Sequence, residues 1–176
     1  MQVKKINLII TMGSLCGLLI LILSIVSCSN NKTKEATKPA SKYDGVTIDV
    51  YISNTNCLAI LLDQDGTINR KGTGTLDSLD KDFFMGVTKD KPFDSLMSGI
   101  SQDLLSYCNK PLLSCDTLKQ IFRTKISFGN NDSLCEIEYC VNGGMNDLPK
   151  PIKDFIENAI RVTDPWYHTQ TALLPK

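Results

Sequence analysis

The stretch FRTKISFGNNDSLCEIEYCV, residues 122–141, decides the fold of this chain. On either side of a central Gly-Asn-Asn-Asp segment, apolar side chains alternate with polar ones, which is typical of two strands joined by a tight turn. A two-residue turn at Asn130 and Asn131 would bring opposite charges together on one face and aromatic rings on the other. The pairs that this register predicts are Lys125 with Glu136, Arg123 with Glu138, and Phe122 with Tyr139.

Three further strands are expected upstream of this hairpin. Residues 46–52 alternate between apolar and polar side chains, and residues 57–62 form a short apolar run. The turn sequence Asp-Gln-Asp-Gly at 63–66 then leads into a third strand at 67–71. Together these segments predict a three-stranded antiparallel meander.

Helical patterns occupy the rest of the domain. There are three of them: a short one capped by Thr75 with Phe83 and Phe84 on one side, one from Pro92 to about Tyr107, and one from Pro151 to about 163–165. The chain is therefore expected to have an α+β fold. Its antiparallel sheet, a three-stranded meander plus a hairpin, would carry two or three helices packed on one face.

The amino-terminal end carries an export signal. An uncharged run at 6–27 follows Lys4 and Lys5, and it ends in Ile-Val-Ser immediately before Cys28. This segment resembles the lipobox of bacterial lipoproteins, and the resemblance implies cleavage before Cys28 and lipid on its thiol. The run is also long enough for the alternative of an uncleaved membrane anchor. Ser29 stands where a retention-signal Asp is absent, which mildly favours an outer membrane.

The signal divides the chain into four segments. Residues 1–27 form the signal peptide, residues 28–42 the lipidated cysteine and a flexible linker, residues 43–167 one α+β domain, and residues 168–176 a tail. Removal of the signal leaves 17 basic and 19 acidic residues, a net charge of −2. The basic residues are scattered along the chain, so we expect no nucleic-acid partner.

Five cysteines fall inside the predicted domain, so at least one of them is unpaired. Export permits a disulfide, and we expect it between Cys108 and Cys115, which close a short loop between a helix and a strand. Cys135 and Cys140 share a strand about 16 Å apart, too far to bond to each other. The remaining cysteines are expected to be small buried hydrophobic residues. With one histidine in the chain, no zinc site is expected.

One motif suggests catalytic chemistry. The apolar run that ends in Asp63, with Asp65 and Gly-Thr after it, resembles the first motif of the haloacid-dehalogenase-like phosphatases. In that family the first carboxylate is the nucleophile and the second a general acid/base beside Mg²⁺, so the resemblance implies these roles for Asp63 and Asp65. Residues 142–149 resemble the family's last motif, which adds Asp147, although Gly143 stands where the family has a metal-binding Asp.

Binding explains the chain better than catalysis does. The Asp-Gln-Asp-Gly sequence is also good turn chemistry, and His168, the one histidine, lies in the predicted tail. We therefore expect a non-catalytic, lipid-anchored cell-envelope protein that binds a protein, peptide or glycan and uses no cofactor. Trp166 and Tyr167 are its candidate contacts, because these residue types are enriched in binding hot spots. The alternative is a Mg²⁺-dependent phosphatase that uses Asp63 and Asp65.

Overall fold

The computed structural model describes residues 42–76, 82–111 and 121–173. Within these residues the chain forms six strands and three α-helices, with a 3-10 turn at Met145–Asp147. The strands are β1 (Gly45–Ile52), β2 (Thr55–Asp63), β3 (Thr67–Lys71), β4 (Phe83–Val87), β5 (Ile121–Gly129) and β6 (Leu134–Asn142). The helices are α1 (Pro92–Met97), α2 (Gln102–Leu105) and α3 (Lys150–Ala172).

All six strands form one antiparallel sheet in the order β4-β3-β2-β1-β5-β6. Alternate residues of the long strands are buried and join the buried residues of the helices in one hydrophobic core. The expected α+β class with an antiparallel sheet is therefore confirmed. We call the face of the sheet that is turned away from this core the open face; it carries Thr47, Leu61, Asn69, Met85 and Ser127.

The sequence predicts a helix where β4 forms, and that prediction is wrong. Phe83 is 51% exposed, whereas Phe84 packs edge-on against Tyr167 with the ring centroids 5.6 Å apart. Adjacent residues that point to opposite faces have strand geometry, so the two phenylalanines do not share one helical stripe. Residues 77–81, which hold the middle of the predicted helix, lie outside the described residues.

The hairpin of β5 and β6 forms, but its register differs from the predicted one by two residues. Asn130 Oδ1 accepts hydrogen bonds from the N–H groups of Asp132 and Ser133 at 2.9 and 2.6 Å, and the loop extends over residues 130–133. A shift of two keeps every side chain on its predicted face. The directly opposed pairs are Lys125 with Glu138 and Phe122 with Val141. The expected ion pairs form diagonally across the strands, Lys125–Glu136 at 3.0 Å and Arg123–Glu138 at 3.9 Å.

The predicted helix from Pro92 to Tyr107 is divided into α1 and α2. The Ser101 side chain accepts a hydrogen bond from the N–H of Leu104 at 3.1 Å, which caps a new helix start. Leu96 and Leu104 are both buried in the core on either side of the break. Because the apolar spacing continues across the break, periodicity alone did not reveal it.

α3 continues through Pro165 to Ala172, so the predicted end before this point is wrong. Proline has no N–H to donate to the preceding turn, and in isolation it breaks or kinks a helix. Here Arg70 of β3 fastens this part of α3. Its guanidinium donates to the Ile160 carbonyl at 3.1 Å and pairs with Asp164 at 2.7 Å.

A disulfide joins Cys108 to Cys135 with the Cα atoms 5.1 Å apart, so the predicted Cys108–Cys115 bond is wrong. The chain after α2 runs beside β6, where the Asn109 N–H donates to the Glu136 carbonyl at 2.6 Å. Asn109 Oδ1 in turn accepts from the Glu136 N–H at 3.1 Å. This two-way contact holds Cys108 next to Cys135.

The other domain cysteines differ in state. Cys140 is disulfide-bonded as well, and Cys57 is a buried free thiol. The Cys57 thiol donates to the Thr55 carbonyl at 3.3 Å. Cys115 lies outside the described residues.

Candidate functional site

The start of β1 and the ends of β2 and β5 meet at one end of the sheet. This follows from the antiparallel order, in which β1 lies between β2 and β5. The Asp44 N–H donates to the Gly129 carbonyl at 2.8 Å, and the Asp44 carbonyl accepts from the Gln64 N–H at 2.8 Å. Three segments that are distant in sequence are thereby fixed side by side.

A cavity of about 780 Å³ opens at this end of the sheet. Its volume falls within the range of small-ligand sites, roughly 300–1,000 Å³. The lining combines carboxylates, hydroxyls and amides with an apolar patch from Val46 and Leu134. The polar lining residues that matter most here are Asp44, Thr47, Asp63, Asp65, Ser127 and Asn131.

Asp63 lies directly above the backbone of Gly45. A Cβ at position 45 would come within 2.3 Å of Asp63 Oδ1, so glycine is what leaves room for the carboxylate. Partial burial raises the pKa of Asp63, and the neighbouring carboxylates of Asp65 and Asp44 raise it further. A cation or a hydrogen-bond donor placed here would therefore stabilise the ionised form of Asp63.

Asp65 is in the opposite situation. The Thr67 N–H donates to Asp65 Oδ1 at 2.8 Å, and this bond, with a second one from the Thr67 side chain, lowers the pKa of Asp65. Asp65 is consequently ionised at neutral pH and adds negative charge beside Asp63. The cavity as a whole favours positively charged or hydrogen-bond-donating groups over anions.

The loop between β5 and β6 supplies one rigid wall and one free side chain. Asn130 is fully engaged, since its Oδ1 holds the loop and its amide donates to the Lys42 carbonyl at 2.6 Å. Asn131 and Gln64 are exposed, and their side chains make no hydrogen bond to other described residues. These two amides are available to a ligand.

The structure brings Asp63 and Asp65 to the cavity but places Asp147 elsewhere. Asp147 Oδ2 accepts from the Gly144 N–H at 2.9 Å and fixes the turn that follows β6. β6 leaves the cavity at Leu134 and ends at Asn142, a run of about 26 Å at the usual strand rise. The phosphatase arrangement needs these carboxylates together at the ends of parallel strands, and neither condition is met. Among the described residues, no cluster of His, Cys, Asp or Glu could hold a metal ion.

The candidate contacts near the end of the chain are part of α3. Tyr167 is 1% exposed, and its hydroxyl accepts from the Gly72 N–H at 3.2 Å. Trp166 is half-buried against the core, close to Gly86 of β4. The expectation that both rings extend from a tail is therefore wrong. His168 lies exposed on α3 and does not line the cavity.

Cys28, the predicted lipidation site, lies outside the described residues. In the part of the chain that the structure describes, no helix has the length and apolar character needed to span a membrane.

Sequence reasoning missed Asp44, Gly45 and Asn131 as parts of the cavity. A signal for them exists, because they flank strands at positions where the chain turns, as Asp63 and Asp65 do. Turn sequences do not show which turns meet, however, and that depends on the strand order. No protein-family model matches this chain, and no curated protein matches it.

Proposed function

We propose that this chain is a non-catalytic, lipid-anchored protein of the bacterial cell envelope that binds a polar group of a peptide or glycan in the cavity at Asp63. The observation that carries the proposal is the convergence of Asp44, Asp63 and Asp65 with free amides around a cavity of about 780 Å³. A ligand that brings hydrogen-bond donors or a positive charge offsets the repulsion among these carboxylates.

The composition of the cavity favours binding over catalysis. Neither histidine nor cysteine lines it within the described residues, and Asp63 begins the turn between two antiparallel strands. The hydroxyls of Thr47 and Ser127 and the amides of Gln64 and Asn131 suit the hydrogen-bonding pattern of an amino sugar or of a lysine-containing peptide. Leu134 and Val46 supply the apolar surface on which the carbon skeleton would rest.

The amino-terminal signal supplies the location. Cys28 would be acylated after cleavage, and residues 28–42 would connect the lipid to the domain. The domain would then be displayed outside the cytoplasm, where peptides and glycans of the cell envelope are its partners.

A binding test uses the full chain in detergent with three probes: an oligomer of glucosamine, a lysine-rich peptide and, as the anionic counterpart, heparin. We expect isothermal titration to detect the glucosamine oligomer or the peptide and to detect no heparin binding. Asp63→Asn should weaken binding by roughly tenfold, since one charge-assisted hydrogen bond contributes about 1.5–3 kcal/mol. Asp103→Asn, an exposed carboxylate on α2 outside this cavity, is the matched control.

The Gly45→Ala variant is a second test of the same site. The new methyl group would displace the Asp63 carboxylate, so binding should fall while the net charge stays the same. If both cationic probes bind Asp63→Asn and Gly45→Ala as tightly as the unmodified chain, the cavity is not the binding site.

The anchor is tested by replacing Cys28. In cells supplied with a labelled fatty acid, the unmodified chain should carry the label and sediment with membranes. Cys28→Ser should lose the label, and Cys16→Ser, within the signal run, should keep it. Label that persists on Cys28→Ser contradicts the lipid anchor.

A further inference from the structure

The two edges of the sheet are treated differently by the chain. At β6 the segment after α2 occupies the outer edge: Asn109 exchanges two hydrogen bonds with Glu136, and the Cys108–Cys135 disulfide fixes this contact. An edge protected in this way does not add another strand.

The other edge, β4, carries no such protection within the described residues. It pairs with β3 alone, and its five residues include no charged residue and no proline. Its open-face side chains are Phe83, Met85 and Val87, which are 51%, 70% and 74% exposed. Lysine, proline and strand irregularities are the usual means of keeping an edge from pairing, and β4 has none of them.

The core-facing side of β4 is held firmly. Phe84 packs on Tyr167, and Gly86 lies so close to Trp166 that a Cβ there would meet the indole at 3.0 Å. β4 is therefore a fixed strand whose free hydrogen-bonding edge and apolar row are presented together. This combination is what strand addition requires.

We propose that β4 pairs with β4 of a second copy of this chain, antiparallel and centred on Met85, so that two sheets become one. In this register Met85 faces Met85 of the other copy, and Phe83 faces Val87. The row that is exposed in one copy is thus matched by the same row in the other, and no charge is buried.

Self-pairing is favoured over an unrelated peptide because the sequence is self-complementary about Met85. Beyond the strand, the same register would place Lys89 opposite Lys81 and Asp90 opposite Asp80. These like charges limit the pairing to the uncharged segment and fix its register. An interface of this size belongs to the weak class, well below the roughly 800 Å² per partner of a standard interface. The inference does not depend on the ligand cavity.

Cysteine cross-linking of the full chain in detergent tests the register. Met85→Cys should form a disulfide-linked dimer under mild oxidation, because the two introduced thiols face each other. Phe83→Cys and Val87→Cys should each give only the background of the unmodified chain, and their equimolar mixture should cross-link. Leu134→Cys, on the exposed part of the protected edge, is the matched control.

Sedimentation of the same preparations supplies a second measurement. Met85→Lys should raise the dimer dissociation constant by about tenfold or more, because two like charges would be directly opposed. Leu134→Lys should leave it unchanged. Met85→Cys that cross-links no more than Leu134→Cys, or an unmodified chain that stays monomeric throughout, overturns the proposal. A monomeric chain that instead retains an extended peptide at β4 also overturns it, and identifies another protein as the occupant.

Discussion

Arg70 is the one charged side chain that is buried within the described residues, at 1% exposure. Its guanidinium donates to Thr163 Oγ1 at 2.8 Å and to the Gly72 carbonyl at 3.3 Å, and it lies 4.5 Å from the centre of the Tyr167 ring. The sequence contained a signal for it: Arg70 is two residues from buried Ile68 on the same strand, so alternation places both on the core face.

Replacing Arg70 should strongly destabilise the fold. We expect Arg70→Met to lower the free energy of unfolding by about 3 kcal/mol, because the bonded groups on α3 lose their buried partner. Denaturation in urea measures the loss. Lys71→Met, on the open face of the same strand, should cost less than about 0.5 kcal/mol. Equal effects of the two variants would mean that the contacts of Arg70 do not stabilise the fold.

Asp63 should make stability depend on pH. Its raised pKa means that the folded chain binds this proton more tightly than the unfolded chain does. Stability therefore falls as pH rises from the ordinary value of 3.8 through the raised folded value, and the loss is complete above it. Asp63→Asn removes the ionisation, so its melting temperature should exceed that of the unmodified chain near pH 7.

Thermal unfolding at about pH 3 supplies the control for this prediction, because the carboxyl is then protonated in both states and the gain should vanish. The gain near neutral pH should also shrink in high salt, which screens the repulsion from Asp44 and Asp65. A gain that is the same at both pH values would have a cause other than ionisation.

At the scale of single elements, the disulfide links α2 and its following turn to β6. The bond joins residues 27 positions apart, and chain entropy gives about 3–4 kcal/mol for a loop of this length. Cys108→Ser should lower the free energy of unfolding by this amount. Cys57→Ala, which removes a free thiol and no bridge, should cost about 1 kcal/mol.

Peptide mapping under non-reducing conditions checks the pairing itself. The fragment that contains Cys108 should be recovered linked to the one that contains Cys135. Recovery of Cys108 linked to Cys115 would contradict this pairing.

Long elements with clean alternation were predictable, and short or interrupted ones were not. β1, β2, β3, β5 and β6 follow the alternation and turn sequences of the chain closely. β4 has five residues, two of them adjacent phenylalanines that also fit a helical stripe. The continuation of α3 beyond Pro165 depends on Arg70, a contact between residues about ninety positions apart that no local pattern contains.

At the scale of the whole molecule, the end of α3 belongs to the domain. A chain that stops after Asp164 loses Trp166 and Tyr167, and we expect it to lose roughly 4 kcal/mol or more, as for deletion of a large core aromatic residue. Loss of the cooperative thermal transition would show this. A chain that stops after Gln170 keeps both rings and should unfold much as the complete chain does. Equal behaviour of the two truncations would make this segment dispensable.

The strand order limits how much of the site could be predicted. Asp63 and Asp65 were found from their spacing, but they were assigned to phosphoryl transfer with Asp147. The cavity depends on β1 lying between β2 and β5, and alternation shows which face a residue occupies without showing which strands are neighbours. The carboxylate that does join them, Asp44, lies twenty residues upstream, at the start of β1.

The unequal edges of the sheet also determine how large an assembly can become. Fibrils grow because each added molecule offers a fresh edge to the next one. A sheet with Asn109 and a disulfide on one side and β4 on the other can gain a neighbour on one side only. Once that edge is occupied, none is left to extend. Growth by strand addition would therefore terminate at two molecules even where the chain is crowded.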